Sequence, residues 1–477
     1  MSDEMKFSEY HLQIGTDAII NRHLAPILAD DPDNEENQRK AAQKLMEVLK
    51  EMRVRIGTLL KTDNVSFLFG AGTSISAGGF SLANIPKQIE EDLLRKVNEK
   101  QKKEKKEDDE VPSWIELFYR TVSAIKTDSF SFEDRKRLFV PESEGDYKEI
   151  PINLEDYLSH LHMWLASMGV TGNSMVLSFS DASECSIGKS DLDRLIKEIT
   201  QSLSALLDLP KPDKDDALKS HRRFIKKVLT RPLNLRRANL FTLNYDTLLE
   251  QAADAEGAVL VDGFVGTLRR VFRPESYDLD FYFPAQTTEG RVHRFDRALH
   301  LYKLHGSITW HRCDQNWENP YGLYATFFNQ DCQKDDVLIY PSPLKYGQAL
   351  GLPYSELFRR FGNAIVQPQS VLFTMGYGFG DEHVNALIRQ ALAIPSFTLV
   401  IVDPDPNNYF VSELEALEDE RVWIVKGWDL GTFENFVQKL LPDLREEEIY
   451  AKVMSTFMAL TPPMRTGLNE EDVRNGE

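Results

Sequence analysis

The sequence predicts an α/β fold in which a mainly parallel sheet is flanked by helices, with a large helical insertion or second subdomain. After residue 237, short apolar, β-branched runs alternate with segments of helical periodicity, as in a parallel sheet with crossover helices. Upstream, the apolar run 65–69 stops at the glycine turn 70–72, as a buried strand does in an α/β unit. No fixed-period repeat is present, so a solenoid or a propeller is disfavoured.

The composition fits a globular protein with an acidic surface. The chain has 477 residues, of which 42% are hydrophobic and 27% charged, so it can bury a substantial core in more than one packing unit. Lys and Arg number 56 against 75 Asp and Glu, and the net charge of −19 repels polyanions. We therefore expect no direct nucleic-acid partner, and we interpret the basic stretch 222–227 as a solvated helix face.

The cysteines and the N-terminal residues indicate the cellular compartment. Cys185, Cys313 and Cys332 are widely spaced and include no CxxC pair, so neither a disulfide framework nor a structural zinc ribbon is expected. The sequence begins MSDEMKFSEYH, which is acidic and polar where a signal peptide is basic and then apolar. No stretch approaches the ~18 apolar residues of a membrane span. We expect a cytoplasmic protein with no membrane partner.

Five segments are predicted along the chain. They are an N-terminal helical extension at 1–62, the first part of the α/β domain at 63–95, a helical insertion at 96–236, the remainder of the α/β domain at 237–430, and a C-terminal helix and tail at 431–477. Inside the insertion, the Ser/Gly-rich stretch 171–190 is interpreted as a loop between helices.

Periodicity also predicts individual helices and strands before and after the insertion. A long amphipathic helix is predicted over 38–61. The predicted strands after the insertion are 238–242, 258–261, 299–304, 337–340, 370–375, 398–402 and 422–425, and the predicted helices are 246–254, 354–366, 381–393 and 431–441.

The first candidate site is the glycine turn after the first strand. The turn is Gly70-Ala71-Gly72-Thr73-Ser74, and its small residues would let backbone N–H groups approach an anion such as a pyrophosphate. The alternative is a mere tight connection between strand and helix, because the third glycine of the usual dinucleotide fingerprint is not in its usual place.

Two further candidate segments follow later strands. Asn244 and Asp246 lie at the carboxyl end of the strand 238–242, and His305 follows the strand 299–304 into a Gly-Ser turn. Ligands bind at this edge of open α/β sheets, and histidine can exchange a proton near neutral pH. As alternatives, either Asn244 or, more readily, Asp246 could cap the helix that follows, and His305 could be a structural histidine with satisfied hydrogen bonds.

The fourth candidate segment contains glycines and an acidic residue. Gly376 and Gly378 follow the strand 370–375 and could approach a second phosphate or a ribose. Asp403 closes the strand 398–402 and could accept hydrogen bonds from ribose hydroxyls. The alternative for Asp403 is turn formation, because Asp-Pro-Asp-Pro is a strong turn signal.

Three motifs in this order resemble the sirtuin family. GAGTSISAG at 70–78 looks like the sirtuin NAD-binding turn, LNYD at 243–246 like the motif with the pocket Asn and Asp, and KLHGS at 303–307 like the catalytic-histidine motif. The resemblance implies a Rossmann-like sheet with NAD as substrate and its pyrophosphate at residues 70–74.

The resemblance also implies a role for each polar residue of the pocket. Asn244 would position a water or the nicotinamide-side ribose. His305 would act as general base, and Asp246 would grip the carboxamide.

Departures from the family pattern narrow the implied activity. Sirtuin deacylases usually carry a four-cysteine zinc module, which three widely spaced cysteines cannot form. The Asp-Phe-Arg element usual after the glycine turn is absent, and Leu243 stands where glutamine is usual. The strings FTLNYDTLLE, LYKLHGSITW and GYGFGDEHVN are more similar to bacterial sirtuin-like proteins of antiphage defence.

That branch implies a metal-independent NAD+ hydrolase that forms nicotinamide and ADP-ribose, with a cyclic product left open. We expect a homo-oligomer, with a HerA-type ATPase or a phage protein as candidate activator. Two alternatives remain at this point: an NAD-dependent deacylase or ADP-ribosyltransferase, and a non-enzymatic sensor of NAD or ADP-ribose.

Overall fold

The structure is a computed structural model. It describes residues 7–29, 34–81, 83–104, 113–126, 137–139, 152–172, 174–178, 184–211, 216–283, 293–326, 353–449 and 452–453. The predicted strand 337–340 and Cys332 lie outside these residues.

Strands and helices alternate through most of the described chain. In chain order the strands are β1 (His11–Ile14), β2 (Asp17–Ala18), β3 (Asn64–Phe69), β4 (Ser174–Ser178), β5 (Glu184–Gly188), β6 (Asn239–Thr242), β7 (Val259–Val261), β8 (Phe264–Val265), β9 (Arg270–Phe272), β10 (Tyr282–Phe283), β11 (His293–Arg294), β12 (Ala298–Lys303), β13 (Trp310–Arg312), β14 (Leu323–Ala325), β15 (Ser370–Met375), β16 (Thr398–Val402) and β17 (Val422–Lys426).

The α-helices are α1 (Ile19–Leu28), α2 (Glu35–Leu60), α3 (Ile85–Glu104), α4 (Ser113–Ile125), α5 (Leu154–Thr171), α6 (Lys189–Leu207), α7 (Lys219–Val228), α8 (Leu248–Ala255), α9 (Tyr354–Ile365), α10 (Glu382–Leu392), α11 (Tyr409–Ala416) and α12 (Phe433–Asn435). A π-helical turn, Phe436–Leu440, follows α12, and short 3-10 helices occupy Phe7–Glu9, Ala71–Ala77 and Pro274–Asp278.

A nine-stranded sheet forms the centre of the described structure, in the order β2-β1-β17-β16-β15-β3-β6-β12-β7. The strands from β17 to β7 are parallel, and β1 pairs antiparallel with β17 at one edge. This confirms the predicted α/β class with a mainly parallel sheet flanked by helices. The central strands β3 and β15 are buried along almost their whole length, as expected for a parallel sheet covered on both faces.

Each face of the sheet packs against its own layer. Alternate residues of β3 show the division: Phe67 and Phe69 face a core with α1, α2, α7 and α8, whereas Leu68 faces a core with α9, α10 and α11. The second core also includes the small antiparallel sheet β13-β14-β9-β8, which the sequence analysis did not predict. The hairpin β1–β2 was also not predicted, because its strands are only four and two residues long.

A third core lies among the helices of the predicted insertion. Helices α3, α4, α5 and α6 bury their apolar residues together, and Tyr245 from the sheet domain joins them. Helix α7 instead packs with the sheet. The interpretation of 171–190 as a loop was wrong, because β4 and β5 pair as an antiparallel hairpin whose Leu177 and Ile187 are buried in this core.

No helix in the described part of the chain is both long enough and apolar enough to cross a membrane.

Removal of a central aromatic ring should destabilise the sheet domain. Phe67 is fully buried, stacks on Phe373 with ring centroids 5.1 Å apart and meets Phe224 edge-on at 4.9 Å. We predict that Phe67→Ala lowers the free energy of unfolding by about 3–5 kcal/mol, since it leaves a cavity. Chemical denaturation measures this, with the exposed Phe281→Ala as control at about 0.5 kcal/mol or less. Equal losses in both variants would contradict the packing described.

Candidate functional site

The predicted site segments meet at one edge of the sheet. Strands β15, β3, β6 and β12 are consecutive parallel neighbours, so their carboxyl ends lie side by side. The segments that follow these strands are 376–381, 70–74, 243–246 and 304–307. All four contain residues predicted for the site, and the sheet order brings them together.

The two glycine turns pack backbone against backbone. The N–H of Gly72 donates to the carbonyl oxygen of Gly376 at 3.0 Å. A Cβ added to Gly70 would lie 2.5 Å from that same oxygen, and one added to Gly72 would lie 2.7 Å from the Cα of Gly376. Gly376 also has a positive φ of 57°. These glycines are therefore needed for the close approach of the turns, whatever ligand the turns bind.

Most of the donors of the first turn are used inside the protein. The N–H of Gly70 donates to Met375 O at 3.0 Å, and that of Thr73 to Gly70 O at 3.1 Å. Within the described residues, no acceptor is found for the N–H of Ala71. Of the backbone donors at 70–73, Ala71 is therefore the one available to an anion.

Asn244 is tied to this turn by its side-chain amide. Nδ2 lies 2.9 Å from Gly70 O, to which it donates, and 3.1 Å from both Thr73 Oγ1 and Ser74 Oγ. These contacts fix the orientation of the amide. No described residue donates to Oδ1 of Asn244, which leaves this oxygen able to accept from a hydroxyl group or a water.

Asp246 joins the same turn to helix α8. Its Oδ2 accepts from Ser74 Oγ at 2.6 Å, and its Oδ1 accepts from the N–H of Leu248 at 3.1 Å. The second bond is the helix-start contact that the sequence analysis considered as an alternative. The carboxylate thus stabilises the start of α8 and orients the hydroxyl of Ser74.

A buried ion pair contacts the main chain of the Asn244–Asp246 segment. Lys303 Nζ lies 2.8 Å from Glu250 Oε1 and also donates to the main-chain oxygen of Asp246. Burial raises the pKa of Glu250, and the charge of Lys303 opposes that rise. The sequence analysis did not identify this pair, because the two residues are distant in sequence.

His305 faces a carboxylate that the sequence analysis did not assign. Its Nε2 lies 3.0 Å from Asp381 Oδ2, and the two side chains are 9% and 12% exposed. Asp381 Oδ1 accepts from the N–H groups of His383 and Val384 and so caps α10. The sequence signal for this residue is its position in GYGFGDEH, directly after the glycines and before the helix.

The segments with Asn244 and His305 are also bonded to each other. Thr242 and Lys303 are paired in the parallel ladder, and each candidate residue lies two positions beyond its paired residue. The N–H of Ile308 donates to Tyr245 O at 3.0 Å. The segments that carry Asn244 and His305 therefore leave two neighbouring strands at the same level of the sheet.

The segment 376–381 and Asp403 follow β15 and β16, at the β16 end of the sheet edge that carries the site. A Cβ on Gly378 would meet no atom within 4 Å, so the space beside this glycine is open. Asp403 Oδ1 accepts from the N–H of Asp405 at 3.0 Å, which is the turn contact considered from the sequence. Burial raises the pKa of Asp403. In the described part of the chain, no cluster of three or more His, Cys, Asp or Glu side chains is arranged to hold a metal ion.

A buried histidine lies near Asp246. His221 of α7 is 1% exposed, and its ring centroid lies 4.8 Å from that of Phe433. Burial lowers the pKa of His221 to about 4, and the charge of Asp246 opposes that shift.

One family model matches the second half of the sheet domain. Residues 238–423 match the family model described as a SIR2-like domain. No curated protein gives a match. The matched residues contain the segments of Asn244, His305 and Gly376. Strand β3 precedes the matched residues in the sequence but lies between β6 and β15 in the sheet. The similarity supports a sirtuin-like domain and indicates a sirtuin-type activity that involves NAD.

Two neighbouring glycines offer a matched test of the contact between the turns. Gly376→Ala should lower the free energy of unfolding by more than about 1 kcal/mol, since alanine is strained at positive φ, and its Cβ would lie 2.7 Å from Gly72. Gly378→Ala, with open space beside it, should leave stability nearly unchanged. Thermal and chemical denaturation measure both; equal stability of the two variants would rule out the close contact.

The buried His221 predicts a pH dependence of stability. Between its ordinary pKa of 6.5 and the folded value of about 4, the unfolded chain binds a proton that the folded chain does not. Stability should therefore fall as the pH falls through this window. His221→Gln should reduce that fall in urea denaturation series at several pH values, whereas the exposed His11→Gln should not. An unchanged pH dependence in His221→Gln would contradict the assignment.

Proposed function

We propose that this protein is an NAD+ glycohydrolase that cleaves the nicotinamide–ribose bond and releases nicotinamide and ADP-ribose. The observation that supports it most is the placement of Asn244 and His305 on adjacent strand ends, beside a glycine turn bonded to Asn244. The similarity of residues 238–423 to a SIR2-like domain supports NAD as the substrate.

The chemistry of this bond suits the groups present. Nicotinamide leaves NAD as a neutral molecule, and the ribose passes through an oxocarbenium-like state that fixed dipoles can stabilise. Oδ1 of Asn244 would accept from the attacking water or from a ribose hydroxyl. His305 would take the proton of that water.

Asp246 is proposed to hold the carboxamide of nicotinamide. Its two oxygens already accept hydrogen bonds from Ser74 and Leu248. A carboxylate has about four acceptor positions, so the carboxamide N–H can still be accepted.

The rest of the dinucleotide would lie along the sheet edge toward β16. We propose that the pyrophosphate contacts the turn 70–74, with Ala71 as backbone donor, because the hydroxyls of Thr73 and Ser74 already donate to Gly70 O and Asp246 Oδ2. Gly376 and the open space beside Gly378 would face a phosphate or a ribose, and Asp403 would accept from ribose hydroxyls.

We also propose that the protein acts as an effector of antiphage defence that depletes NAD. This rests on the similarity of FTLNYDTLLE, LYKLHGSITW and GYGFGDEHVN to bacterial sirtuin-like defence proteins. A hydrolase of free NAD harms its own cell, so self-assembly or a partner would hold it inactive. A HerA-type ATPase or a phage protein is the proposed activator, and gel filtration with an NAD assay on each fraction, with and without phage lysate, tests this.

Replacement of either central residue should stop nicotinamide release. In activated protein, Asn244→Ala should abolish detectable release, because the acceptor for the water or the ribose hydroxyl is lost. His305→Ala should lower the rate by about 10²- to 10⁴-fold, the range for loss of an acid–base group. Chromatography of nicotinamide and ADP-ribose measures the rate, and calorimetry should show that NAD+ still binds.

Matched controls are Asn363→Ala and His11→Ala, which remove the same side-chain types from exposed positions. Full turnover in both site variants would refute the mechanism, and intact NAD+ under all activating conditions would favour a sensor. An acyl-lysine peptide in the same reaction distinguishes deacylation, because only that activity yields O-acyl-ADP-ribose in mass spectra.

A further inference from the structure

We propose that Asp381 is a positioning residue that holds the ring of His305 in the orientation and tautomer needed to accept a proton. This inference rests on the proposed function for its catalytic meaning. The contact that carries it is the 3.0 Å separation of His305 Nε2 and Asp381 Oδ2.

The contact is shielded from solvent. The side chains of His305 and Asp381 are 9% and 12% exposed, so water competes little for their hydrogen bond. Two aromatic rings, those of Tyr245 and Phe358, also lie near His305, each with its centroid 6.2 Å away. The ring of His383 packs edge-on against that of Phe358, with centroids 4.6 Å apart. Asp381 therefore brings a carboxylate into direct contact with the imidazole.

Asp381 is itself held in place from several sides. One oxygen, Oδ1, caps α10 by accepting from two backbone N–H groups, which leaves Oδ2 directed at the histidine. The Tyr377 hydroxyl accepts from the N–H of Asp381 at 3.3 Å and lies 3.1 Å from Asn385 Oδ1. Asn385 in turn donates to Phe379 O at 2.9 Å. The loop that carries the two glycines thus also fixes the carboxylate.

The contact with Asp381 determines which ring nitrogen of His305 accepts the proton. Because the carboxylate accepts from Nε2–H, the neutral ring keeps its lone pair on Nδ1. As the C–N bond to nicotinamide breaks, its electron pair leaves with nicotinamide and the water oxygen bonds to the ribose carbon. The water proton moves to Nδ1, and the carboxylate stabilises the resulting imidazolium before the proton passes to solvent.

The experiment compares two adjacent carboxylates. Asp381→Asn keeps an oxygen that can cap α10 but removes the charge beside the ring, since asparagine is also a good N-cap. The control is Glu382→Gln, which removes the same charge from a side chain that is 78% exposed. Thermal denaturation of both variants shows whether the fold is retained.

In activated protein, Asp381→Asn should lower kcat for nicotinamide release by about 10²-fold, the lower end for acid–base catalysis, with KM little changed. The acidic limb of its pH profile should shift to lower pH, because the imidazolium loses its anionic partner. Addition of Asp381→Asn to His305→Ala should cause no further loss, since the two act as one unit. Glu382→Gln should match the wild type in every respect.

A second readout does not depend on activity. With ¹³C-labelled histidine, the His305 signal, assigned by its absence in His305→Ala, should titrate at a lower pH in Asp381→Asn than in the wild type. The same midpoint in both proteins, or unchanged kcat in folded Asp381→Asn, would overturn the inference. If the wild type releases no nicotinamide but the titration shift is present, the proposed function fails while the pairing of Asp381 with His305 stands.

Discussion

The close contact between the glycine turns after β3 and β15 sets the spacing of every other group at the site. Gly72 donates to Gly376 O at 3.0 Å, and a side chain on either glycine would push the turns apart. Asn244 takes its position from the first turn, because its amide donates to Gly70 O. Asp381, at the end of the second loop, brings its carboxylate to the histidine. The contact between two backbones therefore determines the relative placement of the amide and the carboxylate.

Buried polar contacts keep these groups oriented. The hydroxyl of Ser74 donates a hydrogen bond to Asp246, and Lys303 forms an ion pair with Glu250. An unpaired charge in such a place would cost several kcal/mol, so each partner constrains the other. Groups held in this way need no reorganisation when charge develops in a reaction, and this is the physical basis of electrostatic stabilisation of an oxocarbenium-like state.

The sequence predicted the elements whose pattern is local. Strands such as 370–375 and 398–402 were predicted with their observed bounds, since largely apolar runs mark buried parallel strands. The hairpin β4–β5 was missed because its residues are polar on one side and Ser-rich. Asp381 was missed for a different reason: its partner lies 76 residues away, and a contact of that kind has no sequence period. The assignment of residues 70–74 to a ligand stays a prediction, and the structure adds that its glycines are also needed for packing.

The most direct test of the account is a crystal structure of the His305→Ala variant with NAD+, in which the bond should remain intact. The account predicts the nicotinamide-side ribose or its attacking water at hydrogen-bond distance, about 2.7–3.2 Å, from Oδ1 of Asn244. It also predicts the pyrophosphate against the turn 70–74. A dinucleotide bound in the opposite direction, or on another face of the sheet with Asn244 untouched, would contradict it.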